Sequence, residues 1–164
     1  MKTLYIVRHA KSSWDSFSLS DHDRPLLKTG IRKTNRIITY LKEKKVKVDL
    51  LKSSSARRAL DTAKLIAQGI GYPENKIDIE KNLYHASSET IYHELYALSD
   101  DIGSVMLFGH NPTFTYFAND FLNPGIDNLP TSGVVSISFD TDKWENINHA
   151  DYKVNFVVSP KMLK

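Results

Sequence analysis

Short apolar runs rich in β-branched residues alternate along this chain with stretches whose apolar residues recur every three or four positions. Strand-length and helix-length signals in alternation call for helices layered on a sheet, an α/β domain, rather than a bundle or an all-β sandwich. Thr3 to Val7 predicts a buried strand, and Val46, Val48, Leu50 and Leu51 predict a second that ends at Ser53. Ser104 to Phe108 predicts a third, closed by Gly109. Val134 to Phe139 predicts a fourth, preceded by turn residues from Pro130 to Gly133. Asn155 to Val158 predicts a fifth before Pro160, and Ile77 to Ile79 a short edge strand.

Helical spacing fills the intervals. Ile31 to Lys44 carries Ile37, Ile38 and Leu41 on a polar background. Ala56, Ala59, Leu60, Ala63, Ile66 and Ala67 make an i, i+3, i+4, i+7 stripe that Gly69 and Gly71 end. Ile91, Leu95 and Leu98 make another, with Ser87 or Ser88 as N-cap. Phe114, Phe117, Phe121 and Leu122 mark a short helix, with Asn111 as N-cap and Pro112 at its first helical position. That aromatic stripe reads as core, not as a ligand platform.

The 164 residues suit a single domain spanning 1–164, long enough to bury a core without staples. The absence of cysteine removes a disulfide framework, a Cys-based zinc site and a Cys nucleophile together, and it fits a reducing, cytoplasmic setting. Only Leu4 to Val7 are apolar before Arg8, so the N-terminus does not read as a signal peptide, and no run approaches the roughly 18 apolar residues of a membrane span. The net charge of +3 is spread among mixed signs. Its densest basic stretch, Lys42, Lys44, Lys45 and Lys47, reads as the solvated end of a helix, so no nucleic-acid partner is expected. Nothing in the sequence sets the oligomeric state.

Polar clusters stand directly after three of the predicted strands. Arg8-His9 follows the first, Ser53 to Arg58 follows the second and opens a helix, and Gly109-His110-Asn111 follows the third and opens another. Ligands of open α/β sheets bind outside the carboxyl ends of strands. If these strands are parallel neighbours, one rim holds two guanidinium forks shaped for phosphate oxygens, two helix N-termini and two imidazoles. No carboxylate pair stands with them to hold magnesium. Either histidine or either arginine alone reads as an ordinary surface group. An Arg-His pair directly after a buried strand is harder to explain by packing, because both groups are costly to bury unpaired.

Arg8-His9-Ala10-Lys11-Ser12-Ser13-Trp14-Asp15 resembles the Arg-His-Gly signature of the histidine phosphatase superfamily, and more closely its SixA-type phosphohistidine phosphatase branch. Asp23-Arg24-Pro25-Leu26 with Gly30 resembles the next landmark. Ser54 with Arg58-Ala59-Leu60-Asp61-Thr62, then Leu83-Tyr84-His85-Ala86, then Gly109-His110-Asn111-Pro112 follow in the family's order, over essentially the whole chain. The resemblance implies a phosphoglycerate mutase-like fold, a three-layer α/β/α sandwich with a mostly parallel central sheet. It implies that His9 is the nucleophile, that Arg8 and Arg58 bind the phosphoryl oxygens, and that His110 completes the clamp. It implies no cofactor and no metal. Motif register favours Arg58 over Arg57. Ala10 in place of glycine is usual in the branch, Asp61 in place of glutamine reads as structural, and the glutamate acid of mutase-like relatives has no placed counterpart: Glu89 is nearest by position but reads as a plain helix-N-terminal carboxylate. Tyr84 and His85 read equally well as pocket mouth, core or surface.

For His9 to attack phosphorus it must be neutral. Repulsion from Arg8, Arg58 and a protonated His110 is expected to lower its pKa, and a backbone carbonyl is expected to fix its tautomer. A phosphohistidine leaves as imidazole and needs less acid than an alkoxide. The expected substrate is therefore phosphohistidine on a protein, or another phosphoramidate. A small-molecule phosphomonoesterase and a non-catalytic phosphate-binding module are the alternatives.

Overall fold

Successive residues of the first run face opposite sides of one sheet. In a computed structural model, which describes residues 1–14 and 19–163, Leu4 and Ile6 join one buried cluster while Tyr5 and Val7 join a second. This period of two is what a strand buried on both faces requires. The strands are β1 (Lys2–Arg8), β2 (Leu50–Ser54), β3 (Asp78–Glu80), β4 (Ser104–Gly109), β5 (Val134–Phe139) and β6 (Tyr152–Val158). Their order across the sheet is β3-β2-β4-β1-β5-β6. The first four in that order run parallel, β5 pairs antiparallel with β1, and β6 pairs antiparallel with β5 at the far edge. The predicted second strand starts later than expected. Val46 is buried in the connection before β2 and Val48 packs at the core margin, so their β-branched, apolar character reflects packing and not strand pairing.

The helices are α1 (Lys28–Glu43), α2 (Arg57–Ile70), α3 (Ser88–Tyr96) and α4 (Thr113–Asn119). Ile37 and Leu41 of α1 and Ala63, Ile66 and Ala67 of α2 cover one face of the sheet, against Met106 and Phe108. Ile91 and Leu95 of α3 and Phe114 and Phe117 of α4 cover the other, against Leu107 and Ile137. The outcome is a three-layer α/β/α sandwich on a mixed sheet. Each fully buried Leu or Ile in these layers stabilises the fold by about 1.5–3 kcal/mol. Of the predicted aromatic stripe, Phe114, Phe117 and Phe121 are core, as expected, whereas Tyr116 of α4 faces solvent.

Helix ends follow their chemistry. The Ser87 hydroxyl accepts the Thr90 N–H at the start of α3, and α2 stops on Gly71 in the left-handed region. Asn111 is not the N-cap expected of it: α4 begins at Thr113 and Pro112 holds the cap position, while Asn111, one residue earlier, still accepts the Thr115 N–H through Oδ1. Gly30, in the first turn of α1, allows that helix to meet the backbone of Lys11, where any Cβ would collide with the carbonyl oxygen. The segment just after His9 is thereby clamped onto a helix. Among the described residues no helix is long and apolar enough to cross a membrane.

Candidate active site

Because β1, β2 and β4 are parallel neighbours, their carboxyl ends open on one rim. In the register Arg8 pairs with Gly109, and Ser53 lies opposite Phe108. Arg8, His9, Arg58 and His110 all line one cavity of about 920 Å³ at that rim. The four residues named from sequence thus converge, although the last lies more than a hundred positions from the first. Arg57 points elsewhere. Its side chain is half-exposed and pairs with Asp61 one turn on, 3.5 Å away, which also accounts for Asp61 as a local structural partner.

His9 is only 8% exposed. Its Nδ1 lies 2.7 Å from the Ala10 carbonyl oxygen, which can only accept, so Nδ1 carries the proton and Nε2 keeps its lone pair. The Ala10 N–H donates to Thr62 Oγ1 at 2.8 Å, and that hydroxyl donates to the Arg58 carbonyl at 2.7 Å. One hydroxyl on α2 therefore ties the histidine segment to the helix that presents Arg58. The imidazole pKa is pushed down to about 4. Burial is the main cause; the Ala10 hydrogen bond opposes it, and Arg58, Arg8 and Arg24 add repulsion. The sequence suggests only charge repulsion as the cause, with a protonated His110 among its sources. Instead His110 is itself pushed down to about 3, chiefly by burial and then by His9 and Arg58. Both rings are neutral near pH 7, and their centroids are 5.3 Å apart.

Three buried side-chain nitrogens have no hydrogen-bond partner among the described residues: Arg8 Nε, Arg58 Nε and His110 Nδ1. Orphaned buried polar nitrogens are rare because each costs desolvation energy, and here all three belong to the same four-residue cluster. Such a cluster is complete only when an anion enters. Arg8 is anchored through Nη1 to the Leu129 carbonyl at 3.0 Å, and His110 Nε2 lies 2.8 Å from Ser54 Oγ.

One carboxylate was not foreseen. Asp21, in a single 3₁₀ turn (Asp21–Asp23), lines the cavity and binds Arg58 Nη2 at 3.1 Å and Arg24 Nη1 at 3.0 Å. It also accepts from the Tyr84 hydroxyl. That last bond, followed by the two arginines, holds its carboxyl well below the usual range against the effect of burial. Asp21 is therefore an ionised anchor, not a proton donor. Its only signal in the sequence is its spacing three residues before Arg24. Arg24 also reaches Ser13 O and Ser12 Oγ, and its guanidinium stacks 3.4 Å over the Trp14 ring. Tyr84 and His85 both line the cavity. Glu89 does not: its side chain is 81% exposed in the first turn of α3, beside His93. Asp15, part of the first motif, lies outside the described residues. No group of three or more His, Cys, Asp or Glu side chains among the described residues is arranged to hold a metal.

Residues 4–86 match the family model of the histidine phosphatase superfamily (branch 1). An uncharacterized chloroplastic protein of Arabidopsis thaliana is 35% identical over 118 residues, covering 67% of this chain and 54% of its own length, so this chain spans about half of that relative. A Mycobacterium leprae protein is 28% identical over 153 residues, 86% of this chain and 91% of its own. Among solved structures, a candidate phosphohistidine phosphatase, SixA of Agrobacterium tumefaciens, superimposes with a TM-score of 0.81 at 27% identity, covering 97% of this chain and 98% of that one. The protein histidine phosphatase SixA complexed with tungstate shares the fold with a TM-score of 0.82 at 23% identity, covering 99% of each chain. The family match takes in Arg8, His9 and Arg58 and stops before His110, which the shared fold returns to the same rim: the chain belongs to the histidine phosphatase superfamily, branch 1.

Proposed function

We propose that this chain is a metal-independent phosphatase, a single domain over residues 1–164, that acts through a covalent phosphohistidine on His9, with phosphohistidine on a protein or another phosphoramidate as substrate. The observation that carries the reading is the set of unpartnered buried nitrogens on Arg8, Arg58 and His110 around the neutral His9 ring. Arg8 and Arg58 hold the equatorial phosphoryl oxygens as negative charge spreads over them, the task a metal performs elsewhere. Nε2 of His9 donates its lone pair to phosphorus while the bond from phosphorus to the leaving group breaks. Water then attacks the phosphohistidine, the P–N bond breaks, inorganic phosphate leaves and the ring regains its lone pair. The Ala10 carbonyl stabilises the charge that the ring bears in between.

The acids among the described residues support the substrate class. Asp21 is ionised and Glu89 lies outside the cavity, so no described lining residue is a carboxylic acid ready to protonate an alkoxide. A phosphohistidine ring that already carries a proton on its other nitrogen takes the P–N electron pair and leaves as neutral imidazole, so it tolerates that lack. The likeness to the SixA protein of Agrobacterium supports the same direction, as does a cavity wide enough for a presented side chain. The cysteine-free composition fits a cytoplasmic setting. The test compares turnover of a phosphohistidine peptide with that of sugar phosphates, with and without chelator. Faster hydrolysis of the peptide, unchanged by chelator, is expected. Faster turnover of sugar phosphates would replace the substrate assignment with a small-molecule phosphomonoesterase, and no turnover of either would leave a phosphate-binding module.

A further inference from the structure

The phosphatase reading gives His110 a phosphoryl oxygen to hold, but a neutral imidazole can do that only from a nitrogen that bears hydrogen. Its Nε2 is taken by Ser54 Oγ at 2.8 Å, leaving Nδ1 as the nitrogen without a partner. The direction of the Ser54 bond therefore decides whether His110 offers a donor or a lone pair to the anion.

Hydrogen-bond accounting around Ser54 fixes that direction. Ser54 is the last residue of β2 and fully buried, so its hydroxyl hydrogen must be satisfied within the protein. Its oxygen already accepts the Ala56 N–H, at 3.2 Å, in the turn that opens α2. Apart from the ring, that hydroxyl has no acceptor among the described residues. If Nε2 carried the proton, Ser54 would accept twice and leave its own hydrogen orphaned. Nδ1 would then present a lone pair to an anion beside two guanidinium groups. If Ser54 donates, every hydrogen has a place. We propose that Ser54 is a positioning residue: its hydroxyl donates to Nε2 of His110 and so keeps the ring proton on Nδ1, where it serves a phosphoryl oxygen as a neutral donor. The inference rests on the reading of His110 given above. It makes the two pocket rings alike, both protonated on Nδ1, one held by a carbonyl that accepts and the other by a hydroxyl that donates.

The experiment is nitrogen-15 NMR of the imidazoles near pH 7 on the full chain, with His110→Gln used to identify the His110 signals. The expected wild-type spectrum shows Nδ1 protonated and Nε2 unprotonated at His110. In Ser54→Ala the ring shifts toward the Nε2-protonated form, and kcat/KM falls about 10- to 100-fold, the value of one hydrogen bond to a charged acceptor. Ser54→Thr, which keeps the hydroxyl, restores both the tautomer and most of the rate; a purely packing role for Ser54 would move neither spectrum nor rescue in this pattern. A wild-type His110 protonated on Nε2, or a tautomer indifferent to Ser54→Ala, would overturn the inference. An inactive wild type that still shows the Ser54-dependent tautomer would instead overturn the phosphatase reading and leave tautomer control in place.

Discussion

Two imidazoles held neutral in one buried pocket should make the protein unusually sensitive to mild acid. An unfolded histidine takes up a proton near its ordinary pKa of 6.5, whereas His9 resists until about pH 4 and His110 until about pH 3. A group whose folded pKa is depressed in this way leaves stability intact above 6.5. Stability is then lost as pH falls, until the folded ring itself protonates. Within that window each ring costs about 1.4 kcal/mol per pH unit, and the pair about 2.7 kcal/mol per unit. Two units below the ordinary pKa, near pH 4.5, the combined loss is roughly 5 kcal/mol. A total stability of about 5–15 kcal/mol would feel that severely. The assay is urea unfolding followed by the fluorescence of Trp144, which is fully buried, at a series of pH values from 6.5 to 4.5. Wild type is compared with the His9→Gln/His110→Gln double variant, because both proteins share every carboxylate titration. The variant's stability should fall less steeply by about 2.7 kcal/mol per pH unit, and each single variant by about half of that. Parallel slopes for wild type and double variant would refute the claim that these rings are buried neutral, and with it the explanation of why His9 keeps its lone pair.

Three further outcomes follow from particular contacts. Arg58→Lys replaces a fork with a point charge, and steady-state kinetics on a chromogenic phosphate should show kcat/KM falling about 100- to 1000-fold. Thr62→Val removes the hydroxyl between the Ala10 N–H and the Arg58 carbonyl; thermal or urea melts should show a loss of about 1–3 kcal/mol, together with a lower kcat. Glu89→Gln should leave kcat and its pH dependence unchanged, since the carboxylate is solvated and does not line the cavity; a selective loss of turnover on phosphate esters would identify it as the acid.

The elements that sequence periodicity specified are those buried on two faces or along one stripe, because burial is what writes the pattern. The α2 stripe from Ala56 to Ala67 and the run from Val134 to Phe139 are cases where composition and packing agree. Val46 and Val48 misled because an apolar connection leaves the same signature as a strand. The order of strands across the sheet was not legible. It depends on which edges meet after the helices pack, and the convergence of residues 8, 58 and 110 depended on it. Around the site, the need for a carbonyl acceptor on His9 could be argued from chemistry, and Ala10 supplies it. Asp21 could not be found in this way, because one 3₁₀ turn has no periodicity and its carboxylate gains meaning only from Arg58, Arg24 and Tyr84, which the fold brings to it. The neutral state of His110 was equally hidden, since burial and not any neighbouring residue in sequence sets it.

The claim on which the mechanism stands is that phosphorus becomes bonded to the Nε2 atom of His9. It is tested most directly by quenching the enzyme during turnover under alkaline conditions, which preserve a phosphoramidate, and locating the added phosphoryl group by mass spectrometry of the peptide that contains residues 8 and 9. One phosphoryl group on His9, absent from His9→Ala, is the predicted result. Turnover with no phosphoenzyme on that peptide, or undiminished turnover by His9→Ala, would contradict it.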